Sequence, residues 1–188
     1  MQAVARGDLV DYETYRERRD AERARMFVIK GARRVHVGDA LTFLFENTDT
    51  VRYQVQEMML HEQIVKEAAI QHELDTYNAL LGGRGEIGCS LLIEIDDPVS
   101  RAEKLRQWLD LCQHVYVRLE DGSRVYATFD PAQIGDDRLS AVQYLKFDTQ
   151  GRIPRAIGCD LPQYCTESTL DDEQRMALRD DLTPAATC

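Results

Sequence analysis

A chain of 188 residues suits one domain with a real core, and a formal net charge of −10 with a pI near 4.9 sets it against phosphate backbones and anionic membranes as partners. Its one basic patch, Arg16 to Arg34, alternates with Glu17, Asp20 and Glu22 and reads as a solvated helix face. No apolar run approaches the ~18 residues of a membrane span, Met1 to Asp8 lacks the apolar core of a secretory signal, and Cys89, Cys112, Cys159, Cys165 and Cys188 show no Cys-x-x-Cys spacing, so a cytoplasmic protein with free thiols is expected.

In chain order, Asp8 to Lys30 suits an amphipathic docking helix capped by Asp8 and stopped by Gly31. Arg34 to Val37 and Leu41 to Phe45 flank Gly38-Asp39 as a hairpin, and Asn47, Thr48 and Asp49 offer an N-cap to a central helix. That helix is expected from Val51 to Lys66, with a bend or tight helical hairpin near Ala68 and a second stripe of Ile70, Leu74, Tyr77 and Leu81. Gly82 to Gly85 ends it.

Ile87 to Ile95 suits a central strand, and Asp97-Pro98 opens a helix through Leu111. Val115, Val117 and Leu119 alternate with polar residues, Asp121-Gly122 makes a two-residue turn, and Val125, Ala127 and Phe129 resume the alternation. Leu139 to Phe147 gives one more strand. Beyond Gly151 an irregular chain is expected until a short acidic helix at about Asp171 to Leu182. The order predicts one α+β domain over residues 1–182, its mainly antiparallel sheet packed against a central long helix or helical hairpin and flanking helices, with 183–188 a loose tail.

The central helix carries the candidate chemistry. Val51, Val55, Met58, Met59 and Val65 form one apolar face, and Glu62 falls in the middle of it, where an unpaired carboxylate costs several kcal/mol. An arginine such as Arg52 or Arg34 could pair with it. Glu57 and His61, at i and i+4, are placed to share a metal or a proton, and a chain reversal near Ala68 brings Glu73 with His72 toward them. Such a first shell of Glu57, His61, Glu62 and Glu73 suits iron, manganese or zinc. Arg52, Gln54, Gln56, Tyr77 and Asn78 either line a small polar pocket or stitch the helix to its neighbours. His36 and His114 read as ordinary surface or core histidines, and Cys159 and Cys165, six apart around Pro162, lack the second pair that zinc needs. No hydrolase, nucleotide-loop or metalloprotease motif is visible.

Several segments carry a family resemblance. Arg33-Arg34-Val35 through Gly38, Phe45-Glu46-Asn47, Thr50-Val51-Arg52-Tyr53-Gln54-Val55-Gln56-Glu57-Met58, Glu62, Glu73-Leu74 with Tyr77-Asn78, and Ser140 through Phe147 resemble the bacterial domain-of-unknown-function family 3501. The resemblance runs from Asp8 to about Leu182. It implies a small cytoplasmic protein whose gene often lies beside those of rubrerythrin-like and iron–sulfur proteins, and hence a tie to redox or peroxide defence. The chain departs from the family at His61, where a basic residue is commoner, and at Leu161, where a histidine often precedes the proline. A metal site built on His61 is then peculiar to this chain.

Two expectations follow. One is an accessory protein that acts by binding a rubrerythrin-like or iron–sulfur partner. The other is a metal-dependent enzyme using Glu57, Glu62 and Glu73 as catalytic carboxylates, with Arg52, Gln54, Gln56, Tyr77 and Asn78 toward the substrate.

Overall fold

The Asp11 carboxylate opens the first helix by accepting the backbone N–H groups of Glu13 and Thr14, and α1 runs Tyr12–Gly31. Asp8, the expected cap, instead belongs to a single 3-10 turn at Arg6–Asp8. The computed structural model describes residues 1–183. The expected hairpin forms as β1 (Arg34–Val37) and β2 (Leu41–Glu46), turning at Gly38 with φ of 65°. Asn47 then caps α2 (Thr48–His61) in a reciprocal pair with Thr50.

The long helix stops earlier than its apolar pattern predicts. Gln63 takes φ of 51°, its N–H reaches the Leu60 carbonyl, and the Ile64 N–H reaches the Met59 carbonyl at 2.9 Å. These are the two bonds of a Schellman ending, with Ile64 folded onto the same cluster as Met59. The helical hairpin therefore turns at Glu62 to Lys66 and not near Ala68, and α3 spans Glu67–Asn78. Val65, expected on the apolar face, is 68% exposed.

The chain continues as β3 (Glu86–Ile93), α4 (Pro98–Gln107), β4 (Val115–Arg118), β5 (Arg124–Tyr126) and β6 (Val142–Asp148). The helix opened by Asp97 stops at Gln107, short of Leu111, which starts a separate 3-10 turn. The stretch expected to be irregular holds a hairpin, β7 (Ala156–Leu161) and β8 (Tyr164–Thr169), joined at Pro162-Gln163. The acidic helix α5 follows at Asp172–Leu182. Of the expected loose tail, residues 184–188 lie outside the described residues.

The strands form two antiparallel four-stranded sheets, ordered β1-β2-β3-β6 and β5-β4-β7-β8. This is an α+β arrangement with antiparallel sheets, as the element order implies. The sheets face each other across the main core, where Phe43, Phe45, Leu91 and Phe147 meet Val115, Val117, Ile157 and Cys159. Their edges also meet. Thr128 bridges Lys146 of β6, while Tyr164 accepts the N–H groups of Asp39 and Ala40 at the tip of the β1–β2 hairpin. A second, smaller core of Val51, Val55, Met59, Ile70 and Leu74 lies within the helical layer, with Val4 and Leu9 of the N-terminal segment. Gly88 lets this layer approach β3, since a Cβ there would fall 1.8 Å from the Leu80 carbonyl oxygen. No helix among the described residues is long and apolar enough to cross a membrane.

Candidate functional site

Antiparallel register fixes the floor of a cleft. On the face of the first sheet turned away from the main core, Arg34 pairs with Leu44, Leu44 with Ser90 and Ser90 with Tyr144, so these four side chains form one row across all four strands. The helical layer lies over that row without sealing it. Between them is a cavity of about 270 Å³ whose walls include Lys30 from the last turn of α1, Thr50 and Gln54 from α2, and Tyr77 from α3.

The cleft holds an unusual charge set. Glu46, at the end of β2, is buried, and both its oxygens are occupied: Oε2 accepts the Thr50 hydroxyl at 2.5 Å and Oε1 accepts the Ser90 hydroxyl at 2.6 Å. Such bonds are what make a buried carboxylate tolerable. Lys30 stands over the Tyr53 ring at 5.0 Å, and burial pulls its ammonium below the ordinary lysine pKa while the Glu46 charge works against that fall. Burial, with Tyr77 and Glu46 nearby, raises the Tyr144 hydroxyl. Among the described residues neither Lys30 nor Arg34 makes an ion pair or a side-chain hydrogen bond, although most other arginines nearby do, including Arg19, Arg25, Arg33 and Arg52.

The residues singled out in the sequence divide into three groups. Gln54 and Tyr77 line the cleft. Gln56 and Asn78 instead clamp backbone: Gln56 accepts from the Val10 N–H and donates to the Val10 carbonyl, and Asn78 does the same to Val4. They stitch the helices to the N-terminal segment. The carboxylates do not assemble. Glu57 receives the Tyr15 hydroxyl at 2.7 Å and a two-pronged Arg19 guanidinium at 2.8 and 3.0 Å, which together hold its pKa below the usual carboxylate value. Glu62 is exposed at the C-cap of α2, because the helix ends there and the face it was expected to occupy does not continue. His61 is also exposed, Glu73 is half-buried on α3, and Arg52 is paired with Asp49. Among the described residues no three His, Cys, Asp or Glu side chains come together as a metal would need.

The two cysteines of the β7–β8 hairpin are also kept apart. Cys159 faces the main core while Cys165, beside Asp160 across the hairpin, is exposed on the opposite face. Burial raises the Cys159 thiol to about 11 and the Cys112 thiol to about 12. His36 bonds Thr42, and His114 bonds Asp160 at 3.0 Å. A larger surface hollow of about 860 Å³ lies between Asn47, Gly83 and Asp181, but its Asp181 and Asp49 are already engaged by Arg33, Arg25 and Arg52.

Sequence reasoning missed Lys30, Arg34, Glu46, Thr50, Ser90 and Tyr144 as members of one site. One signal was available: Glu46 ends a run of five residues, Leu41 to Phe45, that is buried throughout, and a carboxylate so placed needs partners.

A family model described as Protein of unknown function (DUF3501) matches residues 3–182. Among solved structures, a novel protein of unknown function from Burkholderia pseudomallei K96243 is similar to this chain, with 31% identity, 97% of this chain and 100% of that chain covered, and a TM-score of 0.88. No curated protein matches.

Proposed function

The chain belongs to the family described as Protein of unknown function (DUF3501), and from the geometry of the cleft we propose that it is a binding protein for small organic anions. One observation carries this reading: two cations, Lys30 and Arg34, reach a partly enclosed cavity with no anionic partner bonded to either among the described residues. Lys30 is partly desolvated, which is costly for an ammonium with no bonded partner, and an incoming anion offsets that cost while the exposed Arg34 adds a second charge at the rim. The Gln54 amide and the Tyr77 and Tyr144 hydroxyls supply further donors. Glu46 does not block the site, because Thr50 and Ser90 already occupy its oxygens. Titrating isotopically labelled protein with acetate and inorganic phosphate tests the reading by NMR. Shifts should concentrate at Lys30, Gln54, Ser90 and Tyr144 and vanish in a Lys30→Gln, Arg34→Gln double variant. Scattered shifts that survive the double variant sink it.

A second reading rests on a different feature. Phe27 and Val28 stand 81% and 67% exposed on α1, a combination that favours docking on another protein. With the gene-neighbour pattern that the family resemblance implies, the partner class is a rubrerythrin-like or iron–sulfur protein. Sedimentation of mixtures should then show a complex that Phe27→Ser weakens at least about tenfold; no complex with either class refutes it. The metal-dependent enzyme draws no support from this arrangement, since its four proposed ligands do not converge.

A further inference from the structure

A second, more strongly apolar space adjoins the cleft. On the far side of Tyr77 and Tyr144 lies a groove of about 560 Å³, lined mainly by apolar atoms and bounded by Leu80, Phe129 and the C-terminal end of α3. Tyr77, Leu80 and Tyr144 line both spaces, so the two adjoin at these residues. The dividing wall is held in place. Gln133 accepts the Tyr144 N–H at 2.8 Å and donates to the Tyr144 carbonyl at 3.0 Å, which fixes the edge of β6 at that residue. Tyr144 is still 44% exposed and contributes to the lining of both the cleft and the groove.

Resting on the anion-binding reading, we infer that the ligand is an amphipathic carboxylate. Its head group lies between Lys30 and Arg34, and its hydrocarbon chain passes Tyr77 and Tyr144 into the groove beside Leu80 and Phe129. Charge complementarity sets the direction. The cleft end carries two cations against the single carboxylate of Glu46, a net positive charge, whereas in the groove the charged residues Asp130 and Lys146 are of opposite sign and cancel. The chain end gains by removing apolar surface from water, which a groove flanked by aromatic and leucine side chains permits. A head group alone would leave the groove wet, and a neutral chain would leave the cations unpaired.

Calorimetric titration of the full chain with three compounds separates these terms. Acetate reports the head-group site, decanoate the head and chain together, and decanol the chain alone. Decanoate should bind at least about 100-fold more tightly than acetate and about tenfold more tightly than decanol, both below its micelle concentration. Lys30→Gln should weaken decanoate about tenfold and leave decanol as it was. Ala79→Trp, which fills the groove from an exposed position on its wall, should lower the ratio of decanoate to acetate affinity at least about tenfold. If decanoate binds no better than acetate while both depend on Lys30, the chain-binding inference is overturned and the anion site stands. If none of the three depends on Lys30, the anion site itself falls. Circular dichroism of both variants establishes that they are folded, so neither result can be assigned to lost structure.

Discussion

Lys30 is where the proposed chemistry meets a measurable titration. Its pKa lies below the ordinary 10.5 because burial disfavours the ammonium, with Arg34 pushing the same way and Glu46 and Glu57 opposing. The Tyr53 ring faces it from α2, and Tyr144, whose pKa is raised, closes the cleft from β6. The ammonium is charged below its pKa and neutral above it. Anion affinity should therefore be full at neutral pH and decline as pH rises through a midpoint below 10.5, earlier than a surface lysine would give. Lys30→Arg, which stays charged at any such pH, should keep its affinity across that range. An affinity that declines identically in both proteins removes Lys30 from the site. Residue identity alone did not reveal this role, because Lys30 and Arg34 sit in a stretch whose alternating charges read as solvated. The same limit explains the amides. Gln56 and Asn78 were visible as hydrogen-bonding groups beside Gln54 and Tyr77, but their partners are the backbone of Val10 and Val4, 46 and 74 positions away. Nothing local in sequence tells a clamp from a cleft wall.

Among the elements, those with local punctuation were legible and those without it were not. Asp121-Gly122 marked the β4–β5 hairpin, but not its length: Arg118 pairs with Arg124 and the Leu119 N–H reaches the Ser123 carbonyl, so the loop is the three residues Glu120 to Gly122 and not the expected two, with Gly122 at φ of 82°. Asp97-Pro98 marked α4, and Asn47 marked α2. The β7–β8 hairpin was missed because β7 is buried on nearly its whole length and shows no alternation, while β8 alternates only between half-buried and exposed positions and carries few apolar residues. The end of α2 was missed because a glutamine does the work usually given to glycine. Gln63 at φ of 51° holds a left-handed conformation that crowds its Cβ against backbone. Gln63 is exposed and its side chain makes no hydrogen bond among the described residues, so Gln63→Gly should relieve the strain and lose no such bond. The expected result is a gain of about 1 kcal/mol in stability, read as a higher denaturation midpoint with an unchanged slope. Lower stability would mean that the chain entropy added by glycine outweighs the strain removed.

At the scale of the whole molecule, the two cores predict two steps of opening. Among the described residues the sheet sandwich encloses 24 buried hydrophobic residues and the helical layer eight; Glu46 ties the layer to the sheet through Thr50 and Ser90, while Gln56 to Val10 and Asn78 to Val4 tie its helices to the N-terminal segment. Fewer buried apolar groups mean a lower opening free energy, so α2 and α3 amides should exchange hydrogen by a partial opening that leaves β3 and β7 intact. Two substitutions distinguish this from one cooperative unit. Asn78→Ala strands the Val4 peptide in every native molecule, so it destabilises the native state relative to both the partly open and the unfolded chain. Exchange should quicken about tenfold in helices and strands alike, for a loss of about 1–2 kcal/mol. Ile157→Val touches only the sandwich, which stays packed in the partly open state, and costs about 1 kcal/mol. Its effect cancels for the helical amides. Exchange in β3 and β7 should therefore quicken about fivefold while α2 and α3 keep the wild-type rate; equal acceleration of both would show that helices and sheets open together. If the layer does open alone, the cleft between it and the sheet is the seam along which it parts, and an anion held there by Lys30 from α1 and Arg34 from β1 should slow the helical amides specifically.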